Sequence, residues 1–178
     1  MTVSTTHWPG RRRVALHDLT FRRVTELDHP VLWAMLEPVF RAGETYAIDR
    51  DIARAQALEF WCSGTHCAFI AEAESESLGT YYLCPNQGGG GAHVANAGFV
   101  TAAEAMGRGV ARAMLCHALE TARAARFRAM QFNFVVETNS RAIALWQAHG
   151  FDIVGRLPRA FDHPRRGYVD ALVMYRHL

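Results

Sequence analysis

No run of roughly 18 to 20 consecutive apolar residues, the length a membrane-spanning helix needs, occurs in this 178-residue sequence. No basic segment followed by an apolar one opens it as a secretory signal would. Both absences set the expectation of a cytoplasmic protein with no membrane partner. Charge of either sign is in little excess: 19 Lys plus Arg stand against 17 Asp plus Glu, a formal +2 with His neutral. A dedicated nucleic-acid binder carries a basic stripe, and its absence predicts no nucleic-acid partner. The four cysteines, Cys62, Cys67, Cys84 and Cys116, contain no Cys-x-x-Cys pair. The histidines form no His-Glu-x-x-His helix, so no metal site is expected. A chain of this length can build a core without disulfides. The cysteines therefore read as small buried hydrophobes or free thiols. Cys62 and Cys67 flank a loop and have a second reading as substrate contacts. No internal repeat and no linker divides the chain.

What is present is a single globular domain. Half the residues are hydrophobic and 20% are charged, the balance of a chain that buries a core. Residues 1–13, MTVSTTHWPGRRR, are polar and basic and read as a mobile tail, leaving residues 14–178 as the domain. Strand patterns cover 15–24, 66–73, 78–84, 93–100, 128–136, 151–156 and 168–176. Helical spacing runs from Asp28 to Gly43, from Asp49 or Arg50 past Trp61, from about residue 110 to Arg126, and over 139–149. Glu74 to Ser77 is a tight turn, residues 85–92 (PNQGGGGA) are a flexible connection, and residues 159–170 are a loop. The fold class is α+β, a mixed central sheet of about seven strands with about four flanking helices.

The chemistry concentrates in residues 106–111, MGRGVA, between a strand and a helix. Glycines let backbone approach a ligand closely. The first turn of a helix offers free N–H groups and a partial positive charge. Together these form a cradle for a pyrophosphate. No Gly-Lys-Ser/Thr follows, so the turn is not a Walker loop. Arg112 stands where the dinucleotide fingerprint would have its third glycine.

In its element order this turn resembles the phosphate loop of the GCN5-related N-acetyltransferases (GNAT), Arg/Gln-x-x-Gly-x-Gly/Ala. A second motif of that family matches Asn139, Ala142, Ala144, Leu145, Trp146, Gly150 and Phe151, and the resemblance covers roughly residues 15–177. It implies the GNAT fold and acetyl-CoA as co-substrate. The backbone N–H groups of Gly107, Arg108, Gly109, Val110 and Ala111 would hold the pyrophosphate, with Arg108 or Arg112 pairing a phosphate. The pantetheine arm would lie along the backbone of Phe99, Val100 and Thr101 like an added strand, with Asn139 touching it. An N–H near Phe99 or Val100 would receive the developing oxyanion.

Two positions depart from the family. Met106 replaces the usual Arg or Gln and removes one polar contact, while a backbone cradle does not depend on that side chain. Trp146 stands where many members have a Tyr that protonates the leaving thiolate. Indole cannot do that, so Trp146 reads as a packing wall.

The resemblance implies direct acetyl transfer to an amine. Asn96 and Asn133 each interrupt an apolar strand and need hydrogen-bond partners. One reading is a structural bulge or core contact. The other is a pair of carboxamides that orient the acceptor. The NAGF and FNFV contexts, with Trp146, also resemble the subgroup that acetylates azetidine-2-carboxylate and related proline analogues, in which two such asparagines serve the acceptor. Glu44 and Tyr46 lie in the early loop where the family builds its acceptor site. Glu137 and His93 are further candidates for accepting the proton, as is water. The 159–170 loop either closes over the site through Phe161 or Tyr168 or makes a homodimer contact. The expected activity is N-acetylation of a small amine, probed against two alternatives: acetylation of a protein lysine or N-terminus, and non-catalytic acyl-CoA binding in a regulator.

Overall fold

The computed structural model describes residues 19–178. The expected tail, and residues 15–18 of the first expected strand, lie outside the described residues. Strand β1 (Thr20–Arg23) leads through a 3-10 turn (Glu26–Asp28) into helix α1 (His29–Ala42). Helix α2 (Arg54–Cys62), the hairpin of β2 (Cys67–Ala73) and β3 (Glu76–Pro85), and β4 (Val94–Thr101) follow. Then come α3 (Val110–Ala124), β5 (Ala129–Val136), α4 (Ser140–Ala148), β6 (Asp152–His163) and β7 (Gly167–His177). The seven strands form one mixed sheet in the order β1-β2-β3-β4-β5-β7-β6. Four helices and seven strands are what the periodicity predicts.

The two sheet faces are assigned by alternation along β3 and β4. Thr80 and Tyr82 face α1 and α2: the Trp61 indole N–H donates to Thr80 Oγ1 at 3.0 Å, and its ring meets Tyr82 edge-on at 4.9 Å. Tyr81 and Phe99 face the other way. The Tyr81 hydroxyl lies 2.6 Å from His117 of α3, and the Phe99 ring packs 5.2 Å from Trp146 of α4. Val110, Met114, Leu115, Ala118, Leu119 and Ala122, the apolar stripe of α3, are all buried against that second face.

Three boundaries differ from the sequence reading. Helix α2 begins at Arg54, not at Asp49 or Arg50. Residues 49–52 instead form a turn closed by the Ile52 N–H to Asp49 C=O bond. Arg50 is committed elsewhere, because its Nε donates to the Arg41 C=O while the Arg41 guanidinium donates to the Arg50 C=O. The stretch 159–170 is not a loop but most of a hairpin. Its Pro158 sits in a bulge between Leu157 and Phe161, where a residue without N–H breaks no ladder bond. Third, Asp28, where the helical spacing begins, stands before α1 at its N-cap position but gives it no side-chain cap bond. Its carboxylate turns back to accept the Thr25 N–H at 2.7 Å and the Arg22 guanidinium at 2.7 and 2.8 Å.

The Arg22 guanidinium, which also holds Glu72 at 2.7 Å, keeps the Asp28 carboxyl well below the usual carboxylate range. A depressed carboxylate contributes stability above its unfolded pKa near 3.9 and loses it as pH falls through that value toward the folded one. Asp28→Asn is therefore expected to lower unfolding free energy at pH 7 by about 1–2 kcal/mol, a figure reduced for the half-exposed Arg22. The deficit should shrink at pH 3. Denaturant titrations at the two pH values check this; an equal deficit at both would exclude the ion pair as its source.

Candidate active site

Strands β4 and β5 are parallel but pair only at Val94–Ala129 and Ala95–Met130. Beyond those residues they separate. A register shift between Phe132 and Val135 gives β5 an extra residue at Asn133–Phe134, which bends it away from β4 while it stays paired to β7. Phe132 turns to the α3/α4 face, where Trp146, 7% exposed, packs 5.0 Å from Phe132 and 5.2 Å from Phe99. The indole thus floors the gap between the two strands.

The direction of the β4 backbone follows from its antiparallel partner. Asn86 N–H bonds the Val94 C=O, and Ala102 N–H bonds the Leu78 C=O. Alternate residues between those ends, Asn96, Gly98 and Val100, direct N–H and C=O toward β3. Ala97, Phe99 and Thr101 direct theirs into the gap. An added strand or an oxyanion on that side therefore meets the backbone of Phe99 and Thr101, and Val100 is engaged with Thr80.

Asn96 acts where the pairing ends. Its Oδ1 accepts the N–H of Ala97 at 2.8 Å, satisfying a gap-facing donor that β5 no longer reaches. Asn133 lies across the gap. Its Nδ2 donates to Asn86 Oδ1 at 2.6 Å, and its Oδ1 accepts from Gln131 Nε2 at 2.8 Å. Asn96 and Asn133 thus occupy the same sheet face, toward α1 and α2. Gly98 makes room on that face: a Cβ there would come within 2.4 Å of the Tyr82 ring and 3.1 Å of the Tyr46 hydroxyl. Tyr46 is half-buried and donates its hydroxyl to the Phe99 C=O at 3.0 Å. Burial pushes its phenol far above the usual range, so it is a donor at any working pH.

Two other elements complete the face. Phe161 of β6 packs 6.2 Å from Phe134, and Arg165, in the turn after β6, pairs with Glu44 at 2.6 Å. The β6–β7 hairpin therefore reaches across from β5 to the α1–α2 loop. Phe161 is the inward-facing aromatic of this hairpin; Tyr168 is exposed, beneath the Arg159 guanidinium. Glu137 is held by Arg156 at 3.0 Å and by the Asp170 N–H at 3.1 Å. His93 is exposed and donates to the Gly90 C=O. Cys62 lies apart, lining a hollow with His29 and Leu58, and burial raises its thiol to about 11.

At the other end of the gap is the MGRGVA turn. Gly107 (φ 76°) and Gly109 (φ 92°) adopt positive φ, and a Cβ at either would point into open space. The first backbone bond of α3 runs from Ala113 N–H to Gly109 C=O, so the N–H groups of Val110, Ala111 and Arg112 project from the helix end. Arg108 turns its own N–H back to Ala105 C=O at 3.3 Å, while its Nε is buried without a hydrogen-bond partner. An anion at this end would satisfy both the helix terminus and that guanidinium. Met106 is 47% exposed beside it. Asn139 caps α4, its Oδ1 accepting from Ala142 N–H at 3.4 Å.

The structure brings together Asn96, Asn133, Tyr46 and Phe99, and ties Glu44 to the hairpin that spans them. Asn86, Gln131 and Arg165 also belong to this face and were not among the residues singled out by sequence. Gln131 carried a signal, lying two residues from Asn133 on the same side of a strand. Asn86 and Arg165 carried none, being embedded in turn-like composition.

Among the described residues there is no His/Cys/Asp/Glu group able to hold a metal ion. No helix among them is long and apolar enough to cross a membrane. Residues 31–151 match the model of the acetyltransferase (GNAT) family. The chain is 40% identical to a GCN5-related N-acetyltransferase from Kribbella flavida, whose structure superposes with a TM-score of 0.87 over 92% of this chain and 100% of that one. It is 29% identical, over 154 residues, to N-acetyltransferase aca1 of Schizosaccharomyces pombe, covering 76% of this chain and 73% of that protein. A phosphinothricin acetyltransferase from Sinorhizobium meliloti in complex with AcCoA shares the fold at 18% identity, with a TM-score of 0.78 over 90% of this chain and 89% of that one. The family match spans the MGRGVA turn, the splayed strands and Trp146 together, and the chain belongs to the GNAT family of acetyltransferases as an N-acetyltransferase.

Proposed function

We propose that this enzyme moves the acetyl group of acetyl-CoA to the amine of a small molecule, an amino acid or an amino-acid analogue. The observation that carries this reading is the amide-lined gap: Asn96 and Asn133 face it, and the Glu44–Arg165 pair ties the flanking hairpin across its acceptor side. A small polar acceptor suits such a space better than an extended peptide, which needs an open groove. Acetyl-CoA supplies the acyl group as a thioester. The α3 N-terminus and Arg108 hold its phosphates, and the gap-facing backbone of Phe99 and Thr101 holds the pantetheine arm. The Phe99 N–H is the donor for the oxyanion.

An alkyl amine with a pKa near 10.4 is protonated at neutral pH and must lose a proton before it attacks. Glu44 and Glu137 are ion-paired, and Tyr46 is a neutral phenol. In this reading water, one of the acceptors named from the sequence, takes the proton. A thiol with a pKa near 8.5 departs as thiolate without a side-chain acid, which fits Trp146 as a wall.

The test is free-thiol release from acetyl-CoA with azetidine-2-carboxylate, proline, common amino acids, polyamines and basic peptides. The sequence contains no lysine, so no lysine of the enzyme competes as acceptor. Turnover is expected with cyclic or α-amino acids. Asn96→Ala and Asn133→Ala should each lower kcat/KM by about 10- to 100-fold, the loss of one or two acceptor hydrogen bonds. Acetyl-CoA affinity, read by calorimetry, should change little. Turnover with peptides alone would replace this reading by protein acetylation. Tight acetyl-CoA binding without turnover would replace it by a regulator.

A further inference from the structure

Asn133 is solvent-exposed, and neutral amide hydrogen bonds at an exposed site add little to stability. Yet its carboxamide is gripped on both sides, by Gln131 on its own strand and by Asn86 at the end of β3. Because β4 lies between β3 and β5, the Asn133–Asn86 bond crosses over β4 on the α1/α2 face. It spans the sheet where the β4–β5 pairing has just ended. Packing does not require this arrangement, since Phe132, Val135 and Val136 already bury β5. The three amides also run in one direction. Gln131 donates to Asn133, and Asn133 donates to Asn86. Each link removes one of the two amide orientations that Asn133 would otherwise sample.

We propose that Asn86 and Gln131 are positioning residues that fix the Asn133 carboxamide in one orientation at the gap, so that its second N–H and its remaining carbonyl lone pair stand ready for the acceptor. This rests on the reading of Asn133 as an acceptor contact. The benefit is pre-organisation: the amide is ordered before the acceptor arrives, so binding loses less side-chain freedom. A relay of fixed direction also makes the two ends chemically unequal. Position 86 acts on Asn133 as an acceptor, and position 131 acts on it as a donor.

That inequality gives a test a merely structural role would not pass. Asn86→Asp keeps an acceptor oxygen facing Asn133. Gln131→Glu replaces the donor by a carboxylate facing the Asn133 oxygen. The four variants Asn86→Asp, Asn86→Leu, Gln131→Glu and Gln131→Leu are assayed with the best small amine found for the wild type. Acetyl-CoA affinity and Tm are measured in parallel. Acceptor KM should rise about tenfold or more in Gln131→Glu and about fivefold or more in both Leu variants, and stay within about threefold in Asn86→Asp. Acetyl-CoA affinity and Tm should hold close to wild type throughout. Equal KM across the variants overturns the proposal, as does an effect of Asn86→Asp as large as that of Gln131→Glu. Parallel losses in Tm and acetyl-CoA affinity also overturn it, because they mark a general structural role. Wild-type turnover with unresponsive variants rejects this inference alone, whereas a wild-type protein that turns over no small amine rejects it together with the reading it rests on.

Discussion

Gly109→Val is expected to lower acetyl-CoA affinity by at least 30-fold while leaving a folded protein. Two effects act at one atom. Gly109 sits at φ 92°, where a β-branched side chain is strained by about 1–3 kcal/mol. Its new Cβ would also project into the open space before α3. In the proposed binding mode, phosphate oxygens approach the N–H groups of Val110, Ala111 and Arg112 there to within about 3 Å. Losing about 2 kcal/mol of that contact is 30-fold in Kd. Gly64→Val supplies the control, because Gly64 has φ 67° and open space as well, but lies in the α2–β2 loop. It should cost similar stability and leave acetyl-CoA affinity unchanged. Calorimetric titration of both variants decides the matter. Equal affinities in the two would remove the MGRGVA turn from the binding site.

Trp146→Ala should be the most destabilising single truncation at the site. The indole is buried between Phe99 and Phe132, one from each splayed strand, and it is the main side chain filling the floor between them. Removing a buried Trp costs about 3–5 kcal/mol, transfer and cavity together. That is a large share of the roughly 5–15 kcal/mol a domain possesses. Tm should fall by about 10 °C. The gap widens at the same time, so kcat/KM should fall by at least tenfold. Trp146→Phe, which keeps a ring against both neighbours, should cost less than half as much. Thermal melts of the two variants test the order. A Tm shift under about 3 °C for Trp146→Ala would show that α4 is not what braces the open strands.

How far the sequence alone reached differs from element to element. The α3 stripe from Val110 to Ala122 was legible because a long amphipathic helix repeats its apolar residues often enough to override local noise. The β2–β3 hairpin was legible because a short polar turn interrupts two β-branched and aromatic runs; Glu74 and Ser75 take the positive φ it demands. The β6–β7 hairpin was not, because Pro158 and a cluster of arginines read as loop composition. Only the bulge at Pro158 reconciles that composition with a strand. The start of α2 was misplaced because the reciprocal bonds of Arg41 and Arg50 hold the preceding turn, and no local pattern encodes them.

The candidate site divides in the same way. Residues 106–111 and the Asn139-to-Phe151 motif are contiguous, so their residue types and spacing identified them directly. The sequence by itself determined the element order, the MGRGVA turn between a strand and a helix, the tryptophan at position 146 and the two suspect asparagines. Only the tertiary structure decided what those asparagines touch. Asn133 meets Asn86 across 47 residues of chain, and Glu44 meets Arg165 from opposite ends of the domain. The reason is physical. Backbone propensity and periodicity act over a few residues, whereas a hydrogen bond between two side chains depends on where the sheet places their strands. Here the placement is set by a bulge in β5 and by the early end of its pairing with β4.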